Sequence, residues 1–288
     1  MIGFAILAAG DHPHPVPPRP STFIAEMREC AHMDLVLRDR FTSLWQRYVP
    51  GAELPVTFEI GGDTAGAVIA PEAKVWKCLV CDLARVRKGT SLVIGEGALS
   101  CNGAKYFCGY VRDRAPDFRF FLSYGKLGGV PGERYKKTPE IVDETDKNAA
   151  HIPVAGRQYI FRRWDMLTAA DSPEVVIFFA RPEVLCGLFT LANFEEADPN
   201  GVICPFSSGC GSIILYPWLE QQKENQKAVL GMFDPSARPC VPVDVLTIAV
   251  PMKKFVRMVA DMEESFFGTD TWKKVVKKVG RSNTIHTA

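Results

Sequence analysis

The sequence predicts an α+β fold that leans toward α/β, built as two similar lobes of one chain. Short apolar runs typical of buried strands alternate with amphipathic helical stretches along the 288 residues. The order strand, helix, strand, small-residue loop, cysteine and helix start occurs twice, which indicates a weak internal duplication. The composition, 47% hydrophobic and 23% charged, is that of an ordinary globular protein with a sizeable core.

The first strongly patterned element is a helix that follows Met33. Its apolar residues Leu37, Phe41 and Leu44 recur on one stripe, as expected for a helix packed on a core. The stretch before it is rich in proline and histidine. We predict that residues 1–32 are a poorly ordered extension, or that they are upstream sequence included because the start was assigned too early. The expected organisation is one globular unit over 33–280, two halves of about 33–155 and 156–280, and a tail over 281–288.

The first copy of the repeat leads to Cys101. A strand is predicted over 54–60 and a helix over 72–88, which Gly89 ends. A second strand over 91–94 then runs into a glycine loop and the cysteine.

The second copy leads to Cys210. A near-continuous apolar run over 174–179 predicts a buried strand, and Pro182 suits the first turn of the following helix. A turn at 198–201 and a strand over 202–206 precede the cysteine. Further strands are predicted over 228–233 and 245–250, and a further helix around 255–266.

Each of these cysteines lies beside small residues, at a position where a helix is predicted to begin. Unpaired backbone N–H groups at such a position favour a thiolate, and small neighbours let a ligand approach the backbone. We therefore expect the two loops to meet at the seam between the lobes and to bind one ligand or cofactor. The predicted binding residues are Asn102, Gly103, Gly209, Gly211, Ser212 and, as a charge partner, Arg238.

Several common chemistries lack their residues in this sequence. Only His151 among five histidines lies outside the terminal stretches, so a histidine-rich zinc site or a Ser–His–acid triad is not predicted. No phosphate-binding glycine motif occurs, and the net charge of +1 gives no specific signal for nucleic acid. No apolar run is long enough to predict a membrane span. Nine cysteines without an export signal predict a reducing cytoplasm rather than a disulfide framework.

The sequence resembles the family called domain of unknown function 169, over about residues 34–279. The stretches that carry the resemblance are LPVTF at 54–58, CDLAR at 81–85, CNGA at 101–104, EVVIFF at 174–179, LANF at 191–194, PFSSGCGSI at 205–213, AVLGMFDPSAR at 228–238, and residues 250–266. The resemblance implies that Cys81, Cys101 and Cys210 are usual cysteines of the family and form a three-thiolate site. Three thiolates would leave one iron of a cluster open to substrate or to another ligand. The sequence does not specify a fourth ligand, for which Cys78, Cys186 and an exogenous group are the alternatives.

Three functions follow as hypotheses. The first is an iron–sulfur cluster or other soft metal held by the three thiolates, with a redox, metal-handling or catalytic role. The second is a metal-free module that binds an anionic small molecule at the two helix starts. The third is a thiol enzyme, which would lack an obvious imidazole partner. The sequence does not specify the small molecule, the redox partner or the oligomeric state.

Overall fold

The computed structural model of the protein describes residues 33–127, 130–147, 149–154 and 156–279. Over these residues the protein is a mixed α+β structure, which confirms the predicted class. The extension expected over 1–32 and the tail expected over 281–288 lie outside the described residues. No helix within the described ranges is long and apolar enough to span a bilayer.

In the described part of the chain, eight strands form one mixed sheet and two more form a small hairpin. Their bounds are β1 Val56–Ile60, β2 Val68–Ile69, β3 Leu92–Ile94, β4 Lys126–Leu127, β5 Val130–Pro131, β6 Tyr159–Arg163, β7 Val175–Ala180, β8 Val202–Ile203, β9 Ala228–Gly231 and β10 Leu246–Pro251. The sheet has the order β2-β3-β6-β1-β7-β10-β9-β8, and β4 pairs with β5. The outermost pairs, β2 with β3 and β8 with β9, are parallel, and all the others are antiparallel.

The described residues contain nine α-helices: α1 Leu35–Tyr48, α2 Leu79–Arg87, α3 Asn102–Phe107, α4 Phe118–Ser123, α5 Pro139–Lys147, α6 Pro182–Ala192, α7 Tyr216–Gln221, α8 Met252–Asp261 and α9 Asp270–Val279. A one-turn π-helix, Gly211–Leu215, runs directly into α7. Local interactions determine where several of these helices begin or end. The Asp34 carboxylate accepts a hydrogen bond from the Val36 N–H at 2.8 Å and caps α1. Gly89, at φ +98°, takes the left-handed conformation that follows α2.

The sheet separates two hydrophobic cores because side chains of its central strands alternate between its faces. On β7, Ile177 and Phe179 belong to one core with residues of α2, α3 and the π-helix. Phe178, between them, lies in the other core and contacts Phe41 of α1 and Phe255 of α8. Helices therefore cover both faces of one continuous sheet.

The order of strands in the sheet does not match the predicted repeat of two similar lobes. The strands that precede the two cysteine loops are not equivalent, since β3 is second from one edge and β8 is the opposite edge strand. The helix predicted over 72–88 begins only at Leu79, and the strand predicted over 202–206 is two residues long. The pairing of strands distant in the chain decides sheet position, which a local pattern does not encode.

A long connection links β3 to β6. The described parts of this inserted segment, which lies within residues 110–154, contain α4, the β4–β5 hairpin and α5. An ion pair of 2.6 Å between Arg119 and Asp143 joins α4 to α5. The segment folds back over the sheet face that carries α2 and α3, and it encloses the cavity described next.

Candidate functional site

A cavity of about 600 Å³ lies between the two cysteine loops and the inserted segment. Apolar surface dominates its wall. Aromatic rings from five parts of the chain supply much of that surface: Phe107, Phe118, Phe121, Tyr135, Phe206 and Tyr216. The volume is typical of sites that enclose a small organic molecule.

Both cysteine loops contribute to this cavity. Cys101, Asn102 and Gly103 line it where α3 begins, and Gly209 and Cys210 line it just before the π-helix. Residues that are about 110 positions apart in the sequence thus share one wall. The remaining predicted binding residues, Gly211, Ser212 and Arg238, are not among those that line it.

Gly211 and Ser212 shape the second loop from within. A Cβ atom on Gly211 would lie 1.8 Å from the Ser207 hydroxyl oxygen, so only glycine fits at this position. The Ser212 hydroxyl donates a hydrogen bond of 2.9 Å to the Gly209 carbonyl. The small residues of this loop therefore serve its own close packing as well as the cavity.

Arg238 lies outside the cavity, and its guanidinium stabilises a turn. It donates hydrogen bonds to the carbonyl groups of Met232, Pro242, Val243 and Val245. Its charge is therefore directed at backbone dipoles instead of a ligand.

The buried carboxylate of Asp234 connects three walls of the cavity. It accepts hydrogen bonds from the Gly209 N–H at 3.1 Å, from the Tyr135 hydroxyl at 3.0 Å and from the Ser236 hydroxyl at 2.8 Å. Burial is the main reason that the pKa of Tyr135 is raised, so this hydroxyl remains a donor at neutral pH. Asp234 thus ties the inserted segment to the second cysteine loop.

The structure does not provide Cys81 as the free thiol that the predicted three-thiolate site requires. Cys81 is bonded to Cys240 in a disulfide that joins α2 to the turn after Arg238. Within the described ranges no group of three or more histidine, cysteine or acidic residues is arranged to hold a metal ion. Of the fourth ligands considered, Cys78 lines the cavity, whereas Cys186 is exposed on α6, which packs on the other sheet face.

The electrostatic environment also differs from the expected helix-start thiolate. Burial raises the pKa of Cys210 well above its ordinary value, and burial likewise raises the pKa of Cys78. Burial therefore favours the neutral thiol form of these two side chains. This environment opposes the thiolate expected at Cys210, which stays a prediction.

A smaller polar cleft of about 290 Å³ adjoins the cavity. Charged side chains and one imidazole dominate its lining: Arg112, Asp113, Arg114, Asp146, Lys147 and His151. The guanidinium of Arg114 lies 3.9 Å from the ring centroid of Tyr106 and donates from Nε to Asp146 at 2.9 Å. Burial first, and then the nearby charge of Arg112, lower the pKa of His151.

No sequence pattern predicts this cleft. His151 is a single histidine outside the terminal stretches, and the Arg-Asp-Arg run at 112–114 gives no pattern by itself. The cleft exists because α5 returns the 146–151 stretch to the end of α3, and no local signal encodes that return.

The comparisons with known proteins give one match. The family model of domain of unknown function 169, described as "Uncharacterised ArCR", matches residues 58–261. No curated protein and no solved structure matches the chain.

Proposed function

Because the chain belongs to the family of domain of unknown function 169, whose description assigns no activity, we propose a function from the cavity itself. The protein binds a small, largely apolar organic molecule between the two cysteine loops and the inserted segment. The single observation that carries this proposal is the aromatic cavity of about 600 Å³. A cavity of this size with apolar walls and a few convergent polar groups is the usual form of a small-molecule site.

The chemistry of the wall supports an organic ligand. Aromatic rings and neutral thiols offer dispersion contacts and little charge. The cavity also has polar and charged groups, and several of them are already bonded within the protein: Asp234 accepts from the Gly209 N–H, and Arg114 is paired with Asp146. These groups would orient a ligand, whereas the apolar surface would supply the free energy of binding.

A glycine in the cavity wall allows a direct test. A Cβ atom on Gly103 would meet only the Cys101 sulfur, at 3.6 Å, so Gly103→Leu places a side chain in the cavity with little strain. Gly268→Leu is the matched control, because its Cβ atom would have no heavy atom within 4 Å and the site lies elsewhere.

The probe is the neutral dye N-phenyl-1-naphthylamine, whose fluorescence rises in an apolar site. We expect saturable binding to the wild type, affinity lowered about tenfold by Gly103→Leu, and no change with Gly268→Leu. Leucine has a higher helix propensity than glycine, so the substitution at position 103 should leave the variant folded. Absence of saturable binding to the wild type, or equal binding to all three proteins, would contradict the proposal.

The iron–sulfur hypothesis stays a prediction and is the second candidate. One observation favours a thiol-based site: Cys78, Cys101 and Cys210 all line the same cavity. The bond between Cys81 and Cys240 stands against the ligand set proposed from the family. Iron and sulfide analysis of protein purified without oxygen decides between the candidates, since stoichiometric iron and sulfide would overturn the organic-ligand proposal.

We also propose an internal duplication in a register different from the sequence prediction. In its support, the sheet reads β2-β3-β6-β1 from one edge and β8-β9-β10-β7 from the other, so each half has its second, third, fourth and first strands in that order. Both outermost pairs are parallel. In this register α2 corresponds to the helical stretch 211–221, and Cys78 corresponds to Cys210.

A further inference from the structure

Resting on the proposed function, we propose that the ligand is an anionic amphiphile, with its apolar body in the cavity and a carboxylate or phosphate group in the polar cleft. The sequence suggested an anion at the two helix starts. The helix that begins after Cys101 has only six residues, however. The close packing of small residues in the second cysteine loop leaves no space for an anion beside Gly211. The structure instead offers positive charge at one end of the cavity.

The cavity and the cleft are adjacent. Four residues line both of them: Tyr106, Arg114, Asp146 and Ala149. One molecule can therefore contact the apolar wall and the charged cleft at once. The division of surfaces, apolar in the larger part and polar in the smaller, matches the two ends of an amphiphile.

Arg114 is placed at the junction. Its side chain is only 16% exposed, and its guanidinium lies over the rings of Tyr106, Phe107 and Phe118, at 3.9, 5.3 and 4.4 Å from the centroids. A guanidinium has five N–H donors, and among the described residues its partners are the Asp146 carboxylate and the Tyr106 hydroxyl. Donors therefore remain for a carboxylate or phosphate, which an arginine binds in a bidentate manner.

The other charged residues of the cleft include one cation, Arg112, that remains available to a ligand. Asp146 is paired with Arg114, and Lys147 is paired with Glu144 at 2.7 Å. Arg112 forms no ion pair with the part of the chain that is described, although the carboxylate of Asp113 is nearby. Arg112 therefore remains as a cation on the lining of the cleft.

His151 also lines the cleft, and its ring centroid lies 5.1 Å from that of Tyr106. Its Nδ1 atom is shielded from solvent and forms no hydrogen bond with the described residues, so this atom does not face the open part of the cleft.

The test compares three probes with the same ten-carbon chain: decanoate, decyl phosphate and 1-decanol. Binding is measured by calorimetry below their micelle concentrations on the wild type, on Arg112→Gln and Arg114→Lys, and on the matched control Arg85→Gln. Arg85 is exposed and lines neither the cavity nor the cleft. Arg112 is exposed too, so its substitution leaves the core intact, and Arg114→Lys retains the charge while removing the bidentate fork.

We expect one or both anionic probes to bind the wild type at least about tenfold tighter than decanol, as a charge-assisted hydrogen bond provides. Arg112→Gln and Arg114→Lys should remove most of this advantage without changing decanol binding, and added salt should weaken only the anions. The preferred anion identifies the head group as carboxylate or phosphate.

Two results would overturn this inference while leaving the proposed function intact. One is equal affinity for decanol and both anions, and the other is an anion preference that persists in Arg112→Gln and Arg114→Lys. If decanol, both anions and the neutral dye all fail to bind, the proposed function itself is wrong.

Discussion

Breaking the bond between Cys81 and Cys240 should lower the stability of the whole molecule. The two residues are 159 positions apart, so the disulfide closes a loop that spans most of the sheet. The chain-entropy relation for a loop of this length gives a stabilisation of about 5 kcal/mol, and removal of native disulfides typically costs about 2–5 kcal/mol. Total stabilities of domains are about 5–15 kcal/mol, so the reduced protein would be close to unfolding.

The bond also fixes one wall of the cavity. Asp234 to Ala237 line the cavity, and they directly precede the turn Arg238–Cys240 that the disulfide holds against α2. We therefore expect reduction to weaken binding of the neutral dye as well as to lower the free energy of unfolding.

Urea unfolding with and without a reductant measures the first effect on the wild type, on Cys240→Ser and on the control Cys186→Ser. Cys186 is an exposed free cysteine, so its loss should change nothing. Cys240→Ser should match the reduced wild type in either condition. A wild type that unfolds at the same urea concentration with and without reductant, together with full alkylation of Cys81 in the native protein, would refute the reasoning.

Three further predictions concern the buried polar groups and the thiols. Asp234→Asn weakens the hydrogen bonds that join the cavity walls. We expect the free energy of unfolding in urea to fall by about 1–3 kcal/mol and dye binding to weaken. Unchanged values in both assays would contradict the role assigned to Asp234. Burial raises the pKa of Glu59 to about 7 from 4.5, so the folded protein retains this proton between the two values and loses up to about 3 kcal/mol of stability as pH rises through that range. Glu59→Gln should remove this part of the pH dependence, and an unaltered profile would show that another group causes it. Iodoacetamide followed by mass spectrometry should label the exposed Cys186 and Cys204 quickly and the buried Cys210 slowly, whereas equal rates would mean that the second cysteine loop opens readily.

Much of the secondary structure follows from local patterns. The apolar run predicted over 174–179 is β7, displaced by one residue, and the stripe after Met33 is α1. Where an element begins at a residue other than the predicted one, the cause is a contact with a residue distant in the sequence. The helix expected from residue 72 starts at Leu79 because the preceding stretch follows the sheet edge, where the Ala73 N–H donates to the Gly97 carbonyl.

The candidate site was only partly visible in the sequence. Small residues beside Cys101 and Cys210 marked two cavity walls, and their role follows from the space that such residues leave. The third wall comes from the inserted segment, which reads as a polar connection with no strong period. Its aromatic residues, such as Phe118 and Phe121, become a binding surface only when the segment folds back over α3.

The sequence by itself determined the class of fold, the main helices and strands, and the two loops that flank a shared cavity. These depend on the spacing of apolar side chains and on the conformations open to glycine and proline, which act over a few residues. The tertiary structure alone decided that Cys81 meets Cys240, that Cys210 is buried and that Arg114 lines both the cavity and a charged cleft. Bonding partners, burial and electric field all arise from residues far apart in the chain, so they exist only once the chain has folded.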